Sequence, residues 1–223
     1  MRLIHTLLFA LSAFGFVACA SAAPATPRNG VDYLTLPEVQ PTEAGGKVEV
    51  TEFFAYSCPF CDAFDPILHD WVKKQGNNII FKRVHVALKP ADVPLQRLFT
   101  TLDAMGVLEQ YHTRVFDSIH RAQKARLSND EDVFNWAEKA GLNRTQFIGV
   151  YRSFGMQANV SRANRLTNEY RIEQWPIIAI GGRYLTSPSH AGDGNPDLTL
   201  EQQQQEALRI MTWLVAKARA EKK

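Results

Sequence analysis

Cys58-Pro59-Phe60-Cys61 stands at the junction of two different hydrophobic periods, and that junction constrains the fold more than any other stretch of the 223-residue chain. Before it, Val48 to Tyr56 is an apolar, β-rich run bounded by Gly45-Gly46, which predicts a strand. After it, Phe64, Ile67, Leu68, Trp71 and Val72 recur at helical spacing, with Pro66 expected to kink the helix. Two thiols therefore sit one turn apart where a helix begins. Pro59 suits the first helical position, where its missing N–H costs nothing. The N–H groups of a first turn have no intrahelical acceptor and the peptide dipoles point their positive end at the cap, so a thiol there is favoured as thiolate. A thiolate attacks and leaves in disulfide exchange, and a second thiol three residues on can resolve the mixed disulfide. The bland alternative is a buried structural pair. A position after a strand, on a helix start, in an exported chain favours the reactive reading.

Export is itself read from the first residues. Met1-Arg2, an apolar stretch from Leu7 to Ala18 and the small residues Ala20-Ser21-Ala22 have the form of a secretion signal cleaved after Ala22. The apolar stretch falls short of the roughly 20 residues that span a bilayer, so residues 1–22 are expected to be removed from a soluble exported protein. Cleavage takes Cys19 away and leaves Cys58 and Cys61 as the mature cysteines. A rival reading makes Cys19 the lipid-modified first residue of a lipoprotein; Phe16 fits that pattern poorly and the alanine site is complete by itself. A chain that is 45% apolar and 22% charged can bury a full core without disulfide stapling. Its net charge of +2 argues against nucleic acid as a partner.

Downstream, Tyr33 to Leu36 is a short strand candidate, and Ile79 to Val86 reads as a buried strand completing a parallel β-α-β unit. From Pro90 to about Arg171 the periodic segments are helical, with stripes at Leu95/Leu98/Phe99/Leu102, Val115/Phe116/Ile119, Val133/Phe134/Ala137 and Phe147/Ile148/Tyr151, then a helix from Gln157 to about Tyr170. Ile177 to Ile180 and Arg183 to Thr186 flank Gly181-Gly182 as a hairpin. Ser187 to Pro196 reads as turns. A final helix begins near Leu200, with Gln202 to Gln205 as its solvated first turn.

Strand-helix-strand, a helical insertion, then hairpin and helix is the order of an α/β, thioredoxin-like fold interrupted by an all-helical domain. The domains expected are 23–89 with 172–223, and 90–171. The chain resembles the DsbA family of bacterial thiol:disulfide oxidoreductases over essentially its whole mature length. The resemblance is carried by Glu52-Phe53-Phe54, Cys58-Pro59-Phe60-Cys61, Arg83-Val84-His85-Val86, and Trp175-Pro176 before Gly181-Gly182-Arg183-Tyr184.

Cys58, at the cap, is expected to be the nucleophile and Cys61 its more buried partner. Glu52 shares strand parity with Val48, Val50 and Phe54, which puts a carboxylate on a face made for burial. It is either a strand-edge acid reaching water or a buried acid paired with Arg83 that helps move the proton of Cys61. The resemblance implies the second, and Arg, unable to give up its proton, would orient the acid. The resemblance also implies a cis peptide bond at Trp175-Pro176, placed opposite the dithiol as an edge for an extended client segment. Two departures stand out: best-known members carry His where this chain has Phe60, and Trp175 is bulkier than usual. His5, His69, His85, His112, His120 and His190 show no two-ligand spacing, so no metal site is expected.

The reading reached is a monomeric periplasmic oxidase, needing no bound cofactor, that donates its Cys58–Cys61 bridge to unfolded exported proteins. A DsbB-like, quinone-linked membrane partner would reoxidise it, as the resemblance implies. A reductase or isomerase of the same fold is the alternative, followed by a periplasmic metal-binding chaperone.

Overall fold

The computed structural model describes residues 25–121 and 124–221; segment 1–22 and Cys19 lie outside them. A five-stranded sheet, in the order β1-β5-β4-β2-β3, is built from β1 (Leu34–Thr35), β2 (Val48–Phe54), β3 (Ile79–His85), β4 (Ile177–Ile180) and β5 (Tyr184–Thr186). β2 pairs in parallel with β3, from Val48 opposite Ile79 to Phe54 opposite His85, and antiparallel with β4. A parallel neighbour needs a crossover, and α1 (Pro59–Gln75) supplies it. That helix runs on through Pro66 and is closed by Gly76 at φ 51°.

Every residue of β2 is buried, because the sheet is covered on both faces. Val48 and Val50 pack with Phe64, Leu68 and Trp71 of α1 and with Ile210 and Leu214 of α8 (Leu200–Glu221). Phe53 faces the other way, onto Val84, Ile177 and Tyr170. The period of two therefore sorts β2 as expected, and Glu52 falls on the side that α1 covers.

Each helical stripe of the 90–171 region lies in a helix: α2 (Val93–Ala104), α3 (Leu108–Phe116), α4 (Asp130–Lys139), α5 (Arg144–Tyr151) and α6 (Phe154–Glu169). A π-helical turn, Asp117–Arg121, extends α3. Asn129, Asn143 and Ser153 cap α4, α5 and α6 by accepting from backbone N–H groups three residues on, which fixes where each of these helices starts. The Ser153 cap also starts α6 at Phe154, before the expected Gln157. Leu98, Phe99, Phe116, Phe134, Phe147 and Tyr151 make an aromatic core that continues beneath the dithiol through Phe54, Tyr56, Cys58 and Cys61.

Gly181 and Gly182 turn the β4–β5 hairpin at φ 63° and 69°, and a Cβ on Gly182 would run into the Gln40 carbonyl. Two local expectations fail. Ser187–Pro196 is not all turns: Ser187 caps a short helix, α7 (Pro188–Asp193), by accepting the His190 N–H at 3.0 Å, with Pro188 in its first turn. Nor is Gln202–Gln205 uniformly solvated, since Gln204 is buried on the inner face of α8.

Candidate active site

The strand-to-helix junction places both sulfurs. β2 ends at Phe54, and Cys58, in extended backbone at φ −90° and ψ 117°, caps α1 with Pro59 in its first turn. The Cys61 N–H donates to Cys58 Sγ at 3.4 Å, and the Cys58 thiol reaches the Trp175 carbonyl at 3.7 Å. The Trp175-Pro176 bond is cis. Cys58 keeps 8% of its surface exposed; Cys61 keeps none. The two thiols are not bonded to each other.

Their acidities are pushed apart. Cys58 is lowered to about 7, first by its hydrogen bond with the Cys61 thiol, then by the Cys61 and Phe60 N–H groups, with partial burial opposing. Cap amides alone were expected from the sequence; the neighbouring thiol is the larger cause. Burial pushes Cys61 well up, and its hydrogen bond to Cys58 and the Cys58 and Glu52 charges push it the same way. One sulfur is thus the ready thiolate and the other a held thiol.

Beneath them lies a charge cluster. Glu52, 1% exposed, takes Arg83 Nε at 3.1 Å, so it is not a strand-edge acid reaching water. Burial raises its carboxyl to about 7 although the Arg83 charge works against that rise. Arg83 also meets Asp65 Oδ1 of α1 at 3.5 Å and the exposed Glu109 at 3.1 Å. Asp65 Oδ1 lies 3.2 Å from His112 Nε2. Burial alone would raise the Asp65 carboxyl, but hydrogen bonding and charge from His112 and the Arg83 charge bring it below its ordinary value.

Sequence reasoning weighed the histidines only as metal ligands, and three of them converge on Tyr56. His85 Nε2 accepts the Tyr56 N–H at 3.0 Å, His120 Nε2 donates to the Tyr56 carbonyl at 2.8 Å, and His112 Nδ1 meets the Tyr56 hydroxyl at 2.9 Å. They come from β3, the π-helical turn and α3, so no spacing in the chain announces them. Burial holds His85 at about 3, and it is neutral. Asp65 had a signal: it sits four residues after Cys61, beside Phe64 on the apolar side of α1. Phe60, 57% exposed, and the half-buried Trp175 flank the site. Among the described residues no group of three or more His, Cys, Asp or Glu is arranged to hold a metal ion, and no helix is long and apolar enough to cross a membrane.

A scan against models of known families returns no match. Individual proteins do match. A thiol:disulfide interchange protein DsbA of Burkholderia cepacia is 38% identical over 191 residues, covering 85% of this chain and 88% of that protein. The DsbA of Pseudomonas aeruginosa strain PAO1 is 30% identical over 220 residues, 98% of this chain and 97% of its own length. Among solved structures, Pseudomonas aeruginosa DsbA superposes with a TM-score of 0.77 at 28% identity, covering 86% of this chain and 94% of that one. The oxidoreductase NmDsbA1 of Neisseria meningitidis gives 0.72 at 25%, covering 87% and 95%.

Proposed function

Because this chain belongs to the DsbA family of thiol:disulfide interchange proteins, we propose that it is a periplasmic oxidase whose working groups are Cys58, Cys61, Glu52 and Pro176, with Pro59, Phe60, Trp175 and Arg83 shaping their surroundings. A client thiolate bonds to Cys58 Sγ, the electron pair of the Cys58–Cys61 bond passes to Cys61 Sγ, and Glu52 supplies the proton that this buried sulfur needs. A second client thiolate then attacks the client sulfur of the mixed disulfide. Cys58 departs as the thiolate it prefers to be, and the client carries the new bond.

The observation that carries the reading is the Cys58 cap, where the Cys61 thiol and two N–H groups stabilise negative charge. Whatever stabilises that thiolate stabilises the reduced protein, and a stable reduced form makes the disulfide easy to give away. The exposed Phe60 ring, two residues after Cys58, and the Trp175 carbonyl, 3.7 Å from its sulfur, suit an extended apolar client segment. Clients are unfolded exported proteins, and a DsbB-like quinone-linked membrane partner restores the bridge. The protein acts as a monomer whose 90–171 insertion caps the site, after residues 1–22 are removed on export.

Equilibration of the mature protein with glutathione buffers tests this. A potential well above that of thioredoxin, about −270 mV, is expected; a value near thioredoxin's would make the protein a reductase.

A further inference from the structure

Charge within the buried cluster does not balance. Arg83, with a side chain only 5% exposed, is the one fixed cation of this cluster among the described residues, and two buried carboxyls, Glu52 and Asp65, face it. Glu109 closes the guanidinium on its outer side but is 72% exposed, so water screens it. Arg83 cannot release a proton. The exchangeable proton that neutralises this buried set must therefore sit on a carboxyl or on the titratable group touching one of them, and that group is His112. Its Nε2 is 3.2 Å from Asp65 Oδ1, its Nδ1 is 2.9 Å from the Tyr56 hydroxyl, and its ring is wedged among Phe54, Phe99 and Phe116. Nε2 faces Asp65 Oδ1 within hydrogen-bond distance but off the ideal line, so a proton on Nε2 would be aimed at that carboxylate.

We propose that His112 is a proton-holding positioning residue of the dithiol reaction, sharing one proton with Glu52 across the Arg83–Asp65 ion pair. This rests on the oxidase reading and deepens it. When Cys61 Sγ receives the electron pair of the broken S–S bond it takes a proton from Glu52, leaving two carboxylates against Arg83. His112 then takes a proton from solvent and the buried set is neutral again; reoxidation runs the transfers backwards. Burial, the largest cause, together with the Arg83 charge holds His112 below its ordinary value, against the opposing hydrogen bond and charge of Asp65 and the charge of Glu109, so the imidazolium needs further negative charge nearby to form. The other titratable groups facing the ring are Tyr56, held protonated by burial, and His85, which stays neutral. Ionisation of Glu52 is thus the event that tips the balance at His112.

The test uses the mature protein, reduced, with imidazole nitrogens and side-chain carboxyls followed by NMR as pH is varied, beside the rate of client-thiol oxidation. H112Q retains an acceptor for Tyr56 and a donor for Asp65 but holds no proton. It should raise the proton affinity of Glu52 by at least about threefold, and E52Q should lower that of His112 by the same factor, because coupling between two sites is reciprocal. The oxidation rate of H112Q should lose the pH step that His112 contributes to the wild-type profile. Midpoints that do not move, or an H112Q rate profile that overlays the wild type, would overturn the proposal. Should H112Q not fold, the His112 midpoint in E52Q decides alone. Absence of thiol oxidation by the wild type would sink the oxidase reading instead, with the Glu52–His112 coupling still measured.

Discussion

Cys58 and Cys61 are one helical turn apart, yet their surroundings make opposite demands. At the cap, Cys58 keeps a sliver of solvent contact and faces hydrogen-bond donors, so negative charge is welcome there. One turn deeper, Cys61 has aromatic side chains around it and the Glu52 carboxyl nearby, so negative charge is expelled. A single Cys-x-x-Cys thereby holds a good leaving group and a reluctant one, and the difference arises from position along α1 rather than from residue type. The lower region adds a group with no counterpart at the cap: a buried carboxyl that titrates near neutrality beside an arginine that never does.

The harshest break in this contrast is to remove the upper sulfur. Cys58→Ser should slow oxidation of a dithiol peptide by at least about a thousandfold while the fold persists; Cys61→Ser, unable to form the bridge, should also fail to oxidise the peptide, but its Cys58 thiolate should attack a disulfide-bonded peptide and accumulate the mixed disulfide that no second protein thiol resolves. Next in size is loss of the lower cation. Arg83→Met leaves Glu52 buried without its ion-pair partner and Asp65 with only His112 and Thr113, and should cost about 3–5 kcal/mol in urea unfolding at neutral pH.

Glu52→Gln sharpens the lower half. A carboxyl raised from 4.5 to about 7 contributes stability that is fully present below pH 4.5 and lost as pH rises through 7. The wild type should lose about 3 kcal/mol across that window from this group, and E52Q should show no such loss. The smallest change is at the rim of the upper half. Phe60→His adds a proton-bearing ring beside the cap and should lower the Cys58 midpoint by up to about one unit.

The same contrast governs what the sequence made legible. The upper half was readable because its causes are local: a β-rich run, Pro59 after Cys58, and a helical stripe leave one place for the cap. Glu52 was readable in part, since strand parity put it on the face that α1 covers, and Arg83 stands opposite it in the parallel register. Asp65 carried a local signal that went unused, whereas His112 and the other histidines around Tyr56 were not readable, because β3, α3 and the π-helical turn bring them together across as many as 64 residues of chain. Helix α7 was missed for a different reason: six residues are too few to show a period, and only the Ser187-Pro188 start signalled it.

The charge state of the Cys58 sulfur governs the whole reaction. Following thiolate absorbance in the reduced mature protein, with Cys58→Ser as the blank, should give a midpoint near pH 7 for Cys58. Reduction should also stabilise the fold, by a margin that grows as pH rises from 7 towards 9 and fades below 7. A midpoint near 9, the ordinary value, with the reduced form no more stable than the oxidised one, would contradict it.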